Sequence, residues 1–252
     1  MMSEYKMENQ MINRVAAAGM TFTLFLAVVL FLNNMNLYEF AQIVRNWMLW
    51  ALFFGYAVAS SLIIDRLFKN KKYGEWRIVI YALAGSAVFF VFGVTIFAIY
   101  ASVFGALTAI VYFFCLKIVP LSKLTRITFG FALPLFFLVF VQFDHTQKLG
   151  FAEQVTDGKS EISVVDFSGE HFIPLKLQQG DIVNVKIQFE NVSGSYGYRL
   201  NYKNDYYPMD EVSDDVISFV AEQAGDYDIV VTGNRFGGKI LVEWTVKSEG
   251  EL

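Results

Sequence analysis

Between Ile78 and Leu116 the chain runs for 39 residues without a charged side chain, and basic clusters stand at both ends of the run. A single helix of that length would be roughly 58 Å long, about twice the thickness of a bilayer's hydrocarbon core. The run is therefore expected to fold as two membrane-crossing helices joined by a short uncharged turn, with both ends on the same side. That hairpin sets the class of the protein, and its flanking charges set the direction of the whole chain.

Five spans are expected: Val15–Leu32, Trp47–Ile64, Ile78–Phe97, Tyr100–Leu116 and Ile127–Phe143, each of 17–20 residues. The turn of the hairpin is placed between Phe97 and Ala101, with Gly93 and Gly105 as positions that would move it. Arg14 precedes the first span, but Asn33-Asn34-Met35-Asn36 after it is a poor cleavage sequence, so an uncleaved anchor is expected. Lys and Arg concentrate in short cytoplasmic loops. Here Arg66, Lys69, Lys71, Lys72 and Arg77 crowd the 65–77 loop, and Lys117, Lys123 and Arg126 the 117–126 loop. The 33–46 loop has only Arg45, offset by Glu39. This alternation puts the N-terminus in the cytoplasm and everything after Phe143 outside. Trp47, Trp50, Tyr73, Trp76 and Tyr81 lie near span ends, where amphipathic rings favour the interface.

Composition changes at the same point. The first 143 residues hold 11 Lys and Arg against 5 Asp and Glu, whereas Asp144–Leu252 holds 9 against 19. Two halves of opposite sign suggest two environments. The only cysteine, Cys115, lies in an apolar segment, which excludes an intrachain disulfide and a Cys-x-x-Cys metal site.

The spans so defined contain no Asp, Glu, Lys, Arg or His, which argues against an ion- or proton-coupled transporter. Asp65 and Lys69 have the spacing of a helical ion pair. Pro134 is expected to kink the fifth span. Ala98, Ala101, Ser102, Gly105, Ala106 and Ala109 recur at spacings of three and four, a face on which helices approach closely in lipid. That face meets either another span of the same chain or a partner helix, including that of a second copy.

After Phe143, Asp144–Gly150 reads as a polar stem and residues 151–252 as a separate domain. The hydrophobic period there becomes two. Candidate strands are Glu161–Phe167, Phe172–Leu177, Ile182–Glu190, Tyr196–Asn201, Val216–Ala221, Tyr227–Thr232 and Lys239–Val246. Turn signals at Ser168-Gly169, Gln179-Gly180, Ser193-Gly194, Ala224-Gly225 and Gly233-Asn234 separate them. Short strands at this spacing predict an all-β antiparallel, jelly-roll-like sandwich.

The segments FIPLKLQQGDIVNVKIQF, ISFVAEQAGDYDIVVTG and GGKILVEWTV resemble the pre-peptidase C-terminal and GOLD-type extracellular sandwiches, with Gly180-Asp181 and Ala224-Gly225-Asp226-Tyr227 at the shared positions. The resemblance implies an extracytoplasmic β-sandwich with structural rather than catalytic motifs. The membrane half, with SSLIIDRLFKNKK and IVIYALAGSAVFFVFG, resembles multi-pass membrane proteins of bacilli, which implies a location and no chemistry.

Candidate sites in the outer half are few. Asp205, Asp210, Glu211, Asp214 and Asp215 are oxygen ligands of the kind calcium takes, but the EF-hand order is absent, so a solvated acidic loop competes with a calcium site. Tyr196, Tyr198, Tyr202, Tyr206 and Tyr207 form either core packing or a platform for a sugar or protein. His145 and His171 lack the context of a hydrolase motif and read as surface residues. No catalytic residue and no cofactor is assigned. The expected function is that of a non-enzymatic, multi-pass cell-membrane protein. It presents an acidic β-sandwich to a protein partner, wall polymer or ligand, and nucleic acid is not expected. The alternative is a permease-associated subunit, whose polar path would have to use Ser60, Ser61, Thr95 and Thr108. A lipid-acting enzyme ranks last.

Overall fold

The computed structural model describes residues 2–68, 76–91, 93–203, 205–213 and 215–248, with side chains from residue 9 onward. The chain divides into two compact units, Met1–Asn36 with Phe40–Phe143, and Leu37–Glu39 with Asp144–Leu252.

The first unit is helical. Its elements are α1 (Met2–Leu32), α2 (Leu37–Arg45), α3 (Trp47–Leu67), α4 (Arg77–Phe90), α5 (Ile96–Leu121) and α6 (Lys123–Phe140). Four helices, α3, α5, α6 and the Asn9–Leu32 part of α1, are long and apolar enough to cross a membrane. The expected third span is a shorter apolar helix, α4, of 14 residues. The hairpin turn comes earlier than the 97–101 position expected from the sequence. It occupies residues 91–95, where Gly93 takes a φ of +108° and the Thr95 hydroxyl accepts from the Ala98 N–H at 3.1 Å to cap α5. Glycine reaches that φ without steric cost, and a threonine N-cap satisfies an orphan donor of the new helix.

Tight contacts centre on α1. Ala16, Ala17, Ala18 and Phe22 are fully buried. A Cβ at Gly19 would overlap the Phe129 carbonyl, and one at Gly130 would sit 3.4 Å from the Ala16 Cβ. Residues 128–132 of α6 are wound as a π-helix just ahead of Pro134. Proline supplies no N–H and its ring crowds the carbonyl four residues back, so the α pattern gives way just ahead of Pro134. A second π segment, Ala51–Tyr56, lies inside α3.

Residues 33–46, read as a loop, contain α2, which buries Phe40, Ala41 and Val44. Arg45 at its end donates to the Val141 carbonyl at 2.7 and 3.1 Å, a cation meeting the exposed carbonyl end of α6. Of the rings expected at the interface, Trp47 and Trp76 are exposed, whereas Tyr81 is buried and Trp50 stacks on Phe54. Tyr73 lies outside the described residues.

The second unit is an antiparallel sheet with strand order β1-β3-β8-β4-β7-β6, to which β2 adds on β3 and β5 on β4. Its strands are β1 (Gln147–Leu149), β2 (Ala152–Thr156), β3 (Lys159–Leu177), β4 (Ile182–Tyr202), β5 (Asp205–Tyr207), β6 (Asp210–Ser213), β7 (Val216–Val220) and β8 (Gly225–Lys247). Part of the expected stem is thus strand β1, paired with Asp166–Ser168 of β3. Asp144 opens this passage by accepting from the Thr146 N–H at 2.9 Å, a bond that lowers the pKa of its carboxyl below the usual value.

Three expected pairs of short strands are three continuous long ones. Glu161–Phe167 joins Phe172–Leu177 in β3, Ile182–Glu190 joins Tyr196–Asn201 in β4, and Tyr227–Thr232 joins Lys239–Val246 in β8. The Ser168-Gly169, Ser193-Gly194 and Gly233-Asn234 signals mark bulges rather than turns. They lie beside one another, since Gly169 pairs with Gly233, Ser195 with Asn234 and Ser193 with Gly237. Aligned bulges crease the sheet and divide each long strand into two arms. Residues of both arms share one buried cluster, including Ile162, Val185 and Val242 on one side and Ile173, Leu200 and Ile229 on the other.

The motif residues serve turns and corners. Gly180 has a φ of +89°, and the buried Asp181 accepts from the Gln178 N–H at 2.8 Å and from Ser248 Oγ at 3.1 Å. Tyr227 is fully buried and donates to the Gln223 carbonyl at 3.1 Å. That bond ties the start of β8 to the preceding turn, as a tyrosine corner does.

Candidate functional site

Charged and hydroxyl side chains from α1, α3, α4 and α5 gather in the helical unit. Arg14 lies two residues before the alanine run of α1, Asp65 near the end of α3 and Arg77 at the start of α4. Arg14 Nη2 is 2.5 Å from Asp65 Oδ2, and Arg77 Nη1 is 3.8 Å from Asp65 Oδ1. Arg77 also donates to the Phe68 carbonyl at 2.7 Å. The Arg14 side chain is only 8% exposed and that of Asp65 38%, so the pair is shielded mainly on the arginine side. Tyr112 Oη lies 3.3 Å from Ser61 Oγ and 3.5 Å from the Arg14 carbonyl.

Arg14 and Asp65 lie within helices long enough to cross, one residue beyond the limits drawn for the first two spans. Asp65 is engaged by arginines of other helices, while Lys69, its expected partner, lies outside the described residues. The charge pattern alone does not show that Arg14 of α1 meets the end of α3 and the start of α4.

Next to the cluster, with Tyr112 common to both, the helices border an open-sided cavity of about 390 Å³, with Thr21, Phe53, Tyr56, Tyr81, Gly105 and Tyr112 in its wall. Small residues let α4 and α5 cross tightly beside it. A Cβ on Gly85 would collide with the Gly105 carbonyl and come within 2.6 Å of the Ala109 Cβ. Ser86 Oγ donates to the Ser102 carbonyl at 3.1 Å. Ser102, Gly105 and Ala109 of the expected small-residue face therefore meet α4 of the same chain. Ala98 is buried, and Ala101 and Ala106 are half-buried. The run Ala16–Gly19, which makes an equally close contact with α6, escaped the sequence reading although its four consecutive small residues were a visible signal.

In the second unit, β1, β2 and β3 assemble Lys148, Glu153 and His171. Lys148 Nζ is 2.9 Å from His171 Nδ1, and His171 Nε2 is 3.1 Å from Glu153 Oε2, though not in hydrogen-bonding geometry. Glu153 Oε1 accepts from Ser160 Oγ at 2.8 Å. Lys148 Nζ also stands 4.5 Å over the Phe151 ring, whose edge-on contact with His171 measures 4.9 Å. Partial burial lowers the pKa of the Lys148 amine. His171, read as a surface histidine, is thus half-buried between a lysine and a carboxylate, and its neighbours are visible only once the strands pair. Ser160 is bound to the acid rather than to the imidazole, so the hydroxyl–imidazole–acid order of acyl transfer is not formed.

The other expected residues scatter. Asp205 lies on β5, Asp210 and Glu211 on β6, and Asp215 beside β7; all four are exposed, and Asp214 lies outside the described residues. Among the described residues no three His, Cys, Asp or Glu side chains stand together as metal ligands would. Tyr198, Tyr202 and Tyr207 pack against the core, while Tyr206 and Tyr196 are exposed, the latter stacked on Phe189 at 4.1 Å. Beside Phe189 runs a groove of about 440 Å³ bordered by Lys159, Glu161, Gln188, Asp215 and Lys239.

No protein-family model matches this chain, and no curated protein matches it. Function therefore has to be read from the geometry above.

Proposed function

We propose that this is a five-span integral membrane protein that holds its acidic β-sandwich outside the cytoplasm, where the sandwich binds a wall polymer or protein partner. The observation that carries this reading is the segregation of charge along the chain: apolar helices with basic flanks precede a C-terminal stretch, residues 144–252, with 9 basic and 19 acidic residues. The uncharged turn after α4 supports immersion of the fifth helix, because Val91, Val94 and Phe97 are each at least 80% exposed and suit an apolar or interfacial surrounding. On the sandwich, the exposed Tyr196 ring stacks on Phe189, and Phe189 borders a groove edged by both signs of charge. That combination suits a hydroxyl-rich or zwitterionic polymer.

The binding test uses full-length protein in mild detergent and purified cell-wall polymer in a co-sedimentation assay. Tyr196→Ala is expected to weaken retention severalfold while leaving the melting curve unchanged. Equal retention of the variant would remove the Tyr196 ring from the proposal, and hydrolytic turnover by the outer domain in a broad substrate screen would overturn the non-enzymatic reading. The permease-associated alternative fares less well. Ser60 and Thr108 line the cavity, but Ser61 is tied to the Val58 carbonyl and Thr95 caps α5.

A further inference from the structure

We infer that the cavity among α1, α3, α4 and α5 is a binding site for one acyl chain of a membrane phospholipid. The inference rests on the reading of these helices as membrane-spanning.

The wall of the cavity presents carbon. Four of its hydroxyls are engaged within the helices: Thr21 Oγ1 donates to the Ala17 carbonyl at 2.8 Å, Ser60 Oγ to the Ala57 carbonyl at 3.1 Å and Tyr56 Oη to the Ala84 carbonyl at 2.6 Å, and Tyr112 Oη lies 3.3 Å from Ser61 Oγ. No charged side chain lines the space. A buried water needs two to four polar partners, and a roomy apolar cavity without them stays dry and accepts apolar guests. Left empty, its wall would forfeit dispersion contacts on one side. An ion or a charged headgroup meets no charged partner there, whereas a hydrocarbon meets a wall made mostly of carbon.

The shape selects among hydrocarbons. A packed helix is a cylinder about 10–12 Å across, whereas about 390 Å³ is the size of a small-ligand pocket. The cavity is therefore too small for a partner helix. It opens sideways past Phe97, Tyr100 and Phe104 of α5, which line it yet are 81%, 67% and 69% exposed. In a bilayer that opening faces lipid tails, the most abundant slender hydrocarbon available. The π segment of α3 contributes Leu52, Phe53 and Tyr56 to the wall. Such bulges occur frequently at functional sites, because the extra residue displaces one turn of the helix.

The test incorporates the full-length protein into phosphatidylglycerol vesicles doped with a phosphatidylglycerol carrying a diazirine in one acyl chain, followed by irradiation and peptide mapping. The expected result is adducts at Phe53, Tyr56 and Thr108 several times more frequent than at the outward-facing Leu83 and Leu135. Thr108→Trp, which fills the space, should reduce the cavity adducts about tenfold and leave those at Leu135 unchanged. Adducts at the cavity residues no denser than at Leu83 and Leu135 would overturn the proposal. That wild-type map decides the matter even if the tryptophan variant fails to fold. Native mass spectrometry is expected to show one intact phospholipid retained, and retention of a free fatty acid alone would overturn the phospholipid assignment. Failure of the membrane reading looks different, because adducts at Leu83 and Leu135 would then be lost as well.

Discussion

Asp65 shows how one side chain can organise several helices. It draws Arg14 of α1 and Arg77 of α4 to the end of α3. Removing one member of a fully buried pair costs about 3–5 kcal/mol, and hydrogen bonds to charged groups contribute about 1.5–3. With Asp65 more than one-third exposed, Asp65→Asn is expected to cost about 2 kcal/mol, seen as a lower melting temperature in detergent. Asp65→Ala combined with Arg14→Leu should recover part of that loss, because no buried charge is then stranded. Lys148 makes a second prediction at this scale. Its folded pKa is depressed by burial, so the unfolded chain holds its proton up to higher pH than the folded one does. Stability should rise with pH between that depressed value and the ordinary lysine value of about 10.4. Lys148→Met should abolish this rise, and a ¹³C-methyl titration of Lys148 should show a midpoint below those of the other lysines. Arg14, Asp65 and His171 were each legible as residue types, but their partners come from other helices and strands, which local pattern cannot supply.

The glycines of the helices behave differently according to what faces them. Gly105→Leu should cost at least about 1–3 kcal/mol, since the Gly85 backbone occupies the space it needs. Gly55 has nothing within 4 Å of a Cβ position, so Gly55→Ala should stabilise α3 by about 0.5–1 kcal/mol. Both are checked by thermal melting of the detergent-solubilised protein. Helix positions were largely legible because hydrophobic runs bounded by charge have few alternatives. The hairpin turn was misplaced because an uncharged run carries no marker except Gly93 and Thr95. The strands were legible as alternation, as in Val183, Val185 and Ile187, which are buried, against the exposed Lys186. Their continuity was not. Ser-Gly and Gly-Asn serve a turn and a bulge equally well, and only pairing with the same neighbour on both sides distinguishes the two.

For the molecule as a whole, orientation in the membrane is the reading most open to direct measurement. With Cys115 replaced, Asn70→Cys and Asp157→Cys can be probed in intact cells with an impermeant maleimide. Asp157 is exposed between β2 and β3 and suits the purpose. Only the second variant is expected to react, and reaction of the first alone would place the sheet in the cytoplasm. The division of the chain near Phe143 was legible because composition, charge and period all change there.

The crease across β3, β4 and β8 bears on how the second unit comes apart. Strands of 19, 21 and 23 residues pass through both arms, so neither arm is a separate cooperative unit. Amide exchange should show one common opening event for Ile162 and Ile173 rather than two. A protease cut at Val192, which is 86% exposed at the edge of the crease, should leave two fragments that remain associated. Under a pulling force applied between Asp144 and Ser248 such a domain would yield in a single step, as a hinge plate does when its pin is continuous.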